Sequence, residues 1–334
     1  MVIAGATALA QVSEMPPMPP AAQATMLEPA PAAVPAKPVT QPYPVRTQHP
    51  SRLAVDPKAA AAKWEQCHSG RKGGISGISL MNGNGEYLLI LDNKKPDDDH
   101  VAILDYKPGA KPKYTKVEWP QEGEPPVDLE SVTPAGMIET DSYFMLASSG
   151  RMFHVKLIDG NRRLKVLKVF DMPETVSGDN FEASFLFQTG DKLVLVWATR
   201  GEDKTPATVR CGVLNPKDYS ISAVASTSFS VTWKKQGEVR HISDIFIDPE
   251  GTFYTLSASD AGDAGPFNSA LFRAGKLVLS DAGAVFDKEA VPVKICDLDG
   301  YKAEGFVIDL GTDRSFVIGS DDEDSGSFVC RIAR

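Results

Sequence analysis

Five short stretches of this chain carry an oxygen-bearing side chain in the same local setting. In "GISGISLMNG", "DLESVTPAGM", "NFEASFLFQT", "HISDIFIDPE" and "KAEGFVIDLG", residues Ser76, Glu130, Glu182, Ser243 and Glu304 coincide on stacking, each before a small residue or Asp and a short apolar run. Successive members lie 52 to 61 residues apart. A carboxylate ahead of a buried-looking run must be solvated, paired or holding a cation. Three carboxylates brought to one point repel unless one is protonated or a cation neutralises them. With two hydroxyls, backbone carbonyls and water, such a set suits Ca²⁺ better than Zn²⁺, which would draw His or Cys. The alternative is a polar, water-filled channel with no fixed ion.

Positioning these residues calls for a repeated element. Runs such as "YLLILD", "VAILDY", "YFMLAS", "MFHVKL", "KLVLVWA", "TFYTLSA" and "SFVIGS" are apolar or alternate with period two, and Gly, Asn, Asp and Pro separate them. Asn84-Gly85 ahead of Tyr87 signals a tight hairpin. Apart from "PKAAAAKWEQ", no stretch of useful length has helical periodicity and caps, so the fold class is all-β. The repeat length suits one four-stranded antiparallel blade with its loops, and five repeats predict a five-bladed β-propeller whose innermost strands line the channel. After Glu304 only three strands remain, so the segment Lys63 to Cys67 is expected to close the ring as the fourth strand of blade five.

The chain has 334 residues and a net charge of −9, with no basic block or stripe, which excludes a general nucleic-acid binder. No apolar run approaches the roughly 20 residues that span a bilayer. Residues 1–10 read as a signal-like remnant ending in Ala8-Leu9-Ala10, the alternative being an Ala-rich terminus, and 11–60 as a Pro/Ala-rich disordered linker. The propeller is then 61–334, exported to the periplasm or the cell exterior. Four cysteines allow three full pairings; a bridge from Cys67 to Cys330 across the ring closure is the expected one, with Cys211 and Cys296 left as thiols. The five histidines show no metal spacing, and no Gly-x-Ser-x-Gly, P-loop or zinc-protease motif occurs. "SDDEDSGSF" partly echoes an EF-hand loop without its terminal Glu, and reads as a solvated acidic loop or weak second calcium site.

The order Ser, Glu, Glu, Ser, Glu around five inner strands resembles the calcium-activated nucleotidases, or apyrases, with the strongest local likeness at "KAEGFVID" and "HISDIFIDP". That resemblance, running from about Trp64 to Arg334, implies a five-bladed propeller with an axial calcium held by Ser76, Glu130, Glu182, Ser243 and Glu304. It also implies roles for Asp92, which falls where the family has an Asp-Asp-Arg-Thr motif, and for Arg200 in "VWATRGE", near an arginine of the matching strand. Asn93 and Lys94 depart from that motif, leaving Lys94 and Lys95 with Arg200 as candidate phosphate-binding residues. The implied activity is calcium-dependent hydrolysis of a nucleotide or other small phosphate ester, in which Asp92 positions or deprotonates water. A weaker resemblance is to phytase-like propellers. In the alternative reading the calcium only staples the blades, and loops carrying Asp92, Lys94, Arg200, Asp260 and Asp321 bind a ligand or partner protein.

Overall fold

A computed structural model describes residues 63–81, 83–123, 125–233, 237–310 and 314–333. The signal-like and linker segments, 1–10 and 11–60, lie outside the described residues.

Twenty strands form five four-stranded antiparallel sheets. The first, β1 (Glu65–His68), precedes blade one, which is β2 (Ile75–Leu80), β3 (Glu86–Leu91), β4 (Val101–Asp105) and β5 (Lys113–Val117). Blade two is β6 (Leu129–Pro134), β7 (Ser142–Ala147), β8 (Arg151–Ile158) and β9 (Arg163–Asp171). Blade three is β10 (Phe181–Thr189), β11 (Lys192–Thr199), β12 (Ala207–Leu214) and β13 (Ile221–Phe229). Blade four is β14 (Glu238–Ile247), β15 (Thr252–Asp260), β16 (Asn268–Ser280) and β17 (Gly283–Asp297). Blade five is β18 (Ala303–Ile308), β19 (Phe316–Ser320) and β20 (Ser327–Ile332), with β1 alongside β20 as its outer strand. The chain is thus an all-β five-bladed propeller, the architecture that the repeat predicts.

The burial pattern explains why these runs are strands. Second strands such as β3, β7 and β11 are packed on both faces and read as near-continuous apolar runs, whereas outer strands such as β9 and β13 alternate with exposed polar residues. Between blades the inner strands interleave aromatic rings: Phe185 meets Phe246 at 5.0 Å and Phe246 meets Phe306 at 6.3 Å between centroids.

Side chains stitch neighbouring inner strands where no sheet ladder runs. Ser184 N–H donates to Ser131 Oγ at 2.8 Å between blades three and two. Phe306 N–H donates to Asp244 Oδ2 at 2.8 Å between blades five and four. Between blades five and one the contact is bare backbone: a Cβ on Gly305 would lie 2.9 Å from Gly77 Cα, so no side chain fits. Arg331 completes that seam, donating to Tyr87 Oη at 2.7 Å and to the Tyr106 carbonyl at 2.9 Å, while Tyr87 Oη–H donates to Asp309 at 2.6 Å.

The expected Cys67–Cys330 bridge is corrected: all four cysteines are free. The register sets Glu65 opposite Val329 and Gln66 opposite Phe328, then slips at Cys67, whose thiol sits beside Ser327 rather than Cys330. Burial pushes the Cys67 thiol up to about 12 and the Cys330 thiol well above the usual range, so both are kept protonated.

Candidate functional site

The five stacked residues share a structural cause that the sequence does not display. Each lies at an irregularity in the pairing of its blade's innermost strand. Ser76 falls between paired residues Ile75 and Gly77, Glu130 between Leu129 and Ser131, Glu182 between Phe181 and Ala183, and Glu304 between Ala303 and Gly305. In blade four the slip spans Arg240 to Asp244 and includes Ser243. A bulge leaves its residue without a ladder partner and re-aims its side chain. A pairing irregularity in each of the five innermost strands thus coincides with its oxygen-bearing residue.

A second ring is built by the same backbone. The first residue after the second strand donates its N–H to the carbonyl two places before the bulged residue: Asp92 to Gly74, Ser148 to Asp128, Arg200 to Asn180 and Asp321 to Lys302, at 2.8 to 3.0 Å. Asp92, Arg200 and Asp321 therefore occupy equivalent positions, as do Asp128, Asn180 and Lys302. Blade four departs from this pattern, because β14 runs on through Arg240, paired with Ala258, before its slip.

Ion pairs join the two rings. Arg240 Nη1 bonds Glu304 Oε1 at 2.7 Å while Nη2 bonds Asp260 Oδ2 at 2.7 Å. Lys302, itself buried, places Nζ 3.6 Å from Glu304 Oε1 and 3.2 Å from Asp321 Oδ2, and also bonds Glu323. Arg200 Nη1 is 3.7 Å from Glu182 Oε1 and its Nη2 is bonded to Glu202. Lys94 bridges Asp128 at 3.1 Å and Asp92 at 4.0 Å.

Desolvation dominates the titration of these groups. Burial raises the Glu182 carboxyl to about 7 against the pull of Arg240 and Arg200, and Glu304 to about 8 against Lys302 and Arg240. Glu130 is held well above the ordinary carboxylate range by burial and then by Glu182, Asp128 and Asp92. Asp92 is raised by burial, which outweighs Lys94.

Among the described residues, no group of three or more His, Cys, Asp or Glu side chains is set to hold a metal ion. The donor set that suits a hard cation is instead a mixed one. Ser76 and Ser243 are each 1% exposed, and neither hydroxyl oxygen has a hydrogen-bond partner among the described residues. Buried hydroxyls left without partners mark where a further group fits. With Glu130 and Glu182 they make four oxygen-bearing residues not held by Arg240, whereas Glu304 is committed to Arg240 and Lys302.

The predicted rim residues fare unequally. Arg200 pairs with the axial Glu182, and Asp260 and Asp321 reach Glu304 through Arg240 and Lys302, whereas Lys94 pairs with Asp92 and Asp128 on the outer ring. Lys95 is exposed and takes no part in them. The 320–328 loop is corrected: Asp321 and Asp322 are buried, not solvated, and fold around Lys302, whose N–H donates to Asp322 Oδ1 at 2.7 Å. Arg240, Lys302 and Asp128 are missed by sequence reasoning, although Asp128 and Lys302 stand first in their stacked segments and Arg240 immediately before its own. A hollow of about 1030 Å³ lined by Trp119, Gln121 and Arg163 lies on the rim of blades one and two, away from the axis.

No family model and no curated protein sequence matches the chain. Among solved structures it is similar to a Bombyx mori beta-fructofuranosidase in complex with sucrose, at 12% identity and TM-score 0.47, over 83% of this chain and 62% of that one. It thus spans less than two thirds of that protein. It is also similar to an endo-arabinase from Bacteroides thetaiotaomicron, at 10% identity and TM-score 0.49, over 81% of this chain and 96% of that one. An exo-1,5-alpha-L-arabinanase from a bovine ruminal metagenomic library matches at 10% identity and TM-score 0.47, over 80% of this chain and 95% of that one. None of the three is a nucleotidase, and at these scores the likeness carries no argument about substrate.

Proposed function

We propose that the chain is an exported, calcium-dependent phosphohydrolase acting on a nucleotide or other small phosphate ester at the axial end of the channel. The observation that carries this is the pair of buried hydroxyls of Ser76 and Ser243, without hydrogen-bond partners among the described residues, on the same innermost strands as carboxyls whose proton affinity burial has raised. Ser76, Glu130, Glu182 and Ser243 would hold the ion, with Glu304 joining once released from Arg240. Bound there, calcium would neutralise charge on the substrate's phosphate oxygens.

The chain's own groups supply the rest. Lys94, Arg200 and Arg240 would serve as donors to phosphate oxygens. Asp92, half-buried and with a raised proton affinity, is suited to accept the proton of a water attacking phosphorus as the bond from phosphorus to the leaving oxygen breaks. Lys95, exposed beside them, is left with at most a contact to an outlying part of the substrate. Export rests on the sequence of residues 1–10 alone.

Phosphate release from a panel of nucleoside di- and triphosphates and simple phosphate esters, with calcium or with chelator, is the test. Calcium-dependent release that falls at least about 100-fold in Asp92→Asn is expected; no release from any ester would refute the enzymatic assignment. A second reading, a non-catalytic ligand- or protein-binding propeller stapled by calcium, is favoured by one observation: Lys94 and Arg200 are already paired with Asp128 and Glu202. Nucleotide or partner binding without turnover would decide for it.

A further inference from the structure

We propose that Arg240 is a removable counter-ion, held on Glu304 until a divalent cation claims that carboxylate and then turned toward the substrate's phosphate. This rests on the cation site proposed above and adds its regulation: the ion and the anionic substrate would bind with positive coupling through one guanidinium.

The geometry of Arg240 fits such a switch. Its fork is split, with Nη1 on the axial Glu304 and Nη2 on Asp260 at the end of β15, so release from Glu304 leaves Asp260 as an anchor. Its main chain is fixed independently, by pairing with Ala258 and by a 2.6 Å bond from Ser257 Oγ–H to the Arg240 carbonyl, so only the side chain need move. The arginine side chain is 18% exposed and Glu304 only 6%, which leaves the guanidinium an open side. Glu304 does not depend on Arg240 alone, because Lys302 stands 3.6 Å from it, itself held by Asp321 and Glu323. Three residues along the same strand, the Ser243 hydroxyl is buried without a partner among the described residues. A cation near Glu304 and a guanidinium on Glu304 repel each other, so one must yield.

Reciprocity makes the idea measurable without turnover: if calcium frees Arg240 for an anion, the anion must tighten calcium by the same factor. Calcium binding is measured by calorimetry in wild type and Arg240→Gln, with and without sulfate as an inert tetrahedral dianion. Arg240→Gln is expected to bind calcium about tenfold more tightly, since a competing cation has gone. Sulfate is expected to tighten calcium several-fold in wild type and not in Arg240→Gln. A purely structural arginine would instead weaken calcium when removed; that result, or equal affinities in the two proteins, overturns the switch and leaves the cation site standing. Absence of calcium binding in wild type overturns the site itself. Should Arg240→Gln fail to fold, Glu304→Gln decides, because it frees Arg240 without metal. Sulfate must then bind that variant more tightly than wild type in chelator, and equal binding refutes the proposal.

Discussion

Replacing Asp244 tests how the blades are held in register. Its carboxylate is buried and accepts two backbone N–H bonds, from Ile245 to Oδ1 and from Phe306 to Oδ2, both at 2.8 Å, the second crossing from blade four to blade five. Asp244→Ala strands both donors, each at about 1–3 kcal/mol. Against this, removing a desolvated carboxyl, which burial holds well above its ordinary proton affinity, returns part of that loss. The expected net cost is about 3 kcal/mol, or a melting temperature lower by roughly 5–6 °C for a domain of this size. Asp244→Asn keeps one acceptor oxygen and should lose about half as much. Thermal unfolding followed by circular dichroism, with urea titration as a second measure, gives both numbers. A loss for Asp244→Ala under about 0.5 kcal/mol, or an Asn variant no better than Ala, would refute the stitching role.

Three further outcomes are expected. Calcium at a hundredfold its Kd should stabilise the wild type by about 2.7 kcal/mol, roughly 5 °C in Tm, and chelator or Glu182→Gln should remove most of that gain in a melting scan. His154, sharing its ring nitrogens with the Ser142 and Tyr219 hydroxyls at 2.8 Å, is lowered by burial to about 4. It is neutral in both states above pH 6.5. The unfolded chain takes up a proton below that, so stability falls by up to about 3 kcal/mol between pH 6.5 and 4, and His154→Gln should flatten that limb of the pH–stability curve. Under denaturing, non-reducing conditions alkylation should count four thiols, and reductant should leave Tm unchanged; a bridged peptide containing Cys67 would contradict the register of β1 on β20.

The fold was readable because a propeller repeats its hydrophobic runs at near-constant intervals, and Ser76, Glu130, Glu182, Ser243 and Glu304 mark one phase of that repeat. The bulges were not readable, since a bulge is defined by the neighbouring strand as much as by its own residues. The outer strand β17 escaped notice because "KEAVPV" places Pro292 inside it; the ladder slips between Arg273 and Gly275, and Val291 there is 77% exposed. The acidic loop was misread for a different reason: its counter-charge, Lys302, stands nineteen residues earlier in the chain, where composition around Asp321 gives no hint of it. The Cys67 pairing failed on a one-residue slip, which changes the side of a strand that a side chain faces.

The seams between blades bear on how freely such a molecule could be recombined. Blades two and three meet through paired serines, four and five through a carboxylate under an amide, five and one through glycine laid directly on glycine. Modules that share one cross-section are therefore not interchangeable parts. A duplicated or transplanted blade would bring the wrong half of a lock to each neighbour, an orphaned amide on one side or a Cβ colliding with main chain on the other. Circular permutants opened in a loop keep every neighbour and should be tolerated, whereas shuffled orders of the same five blades should not assemble.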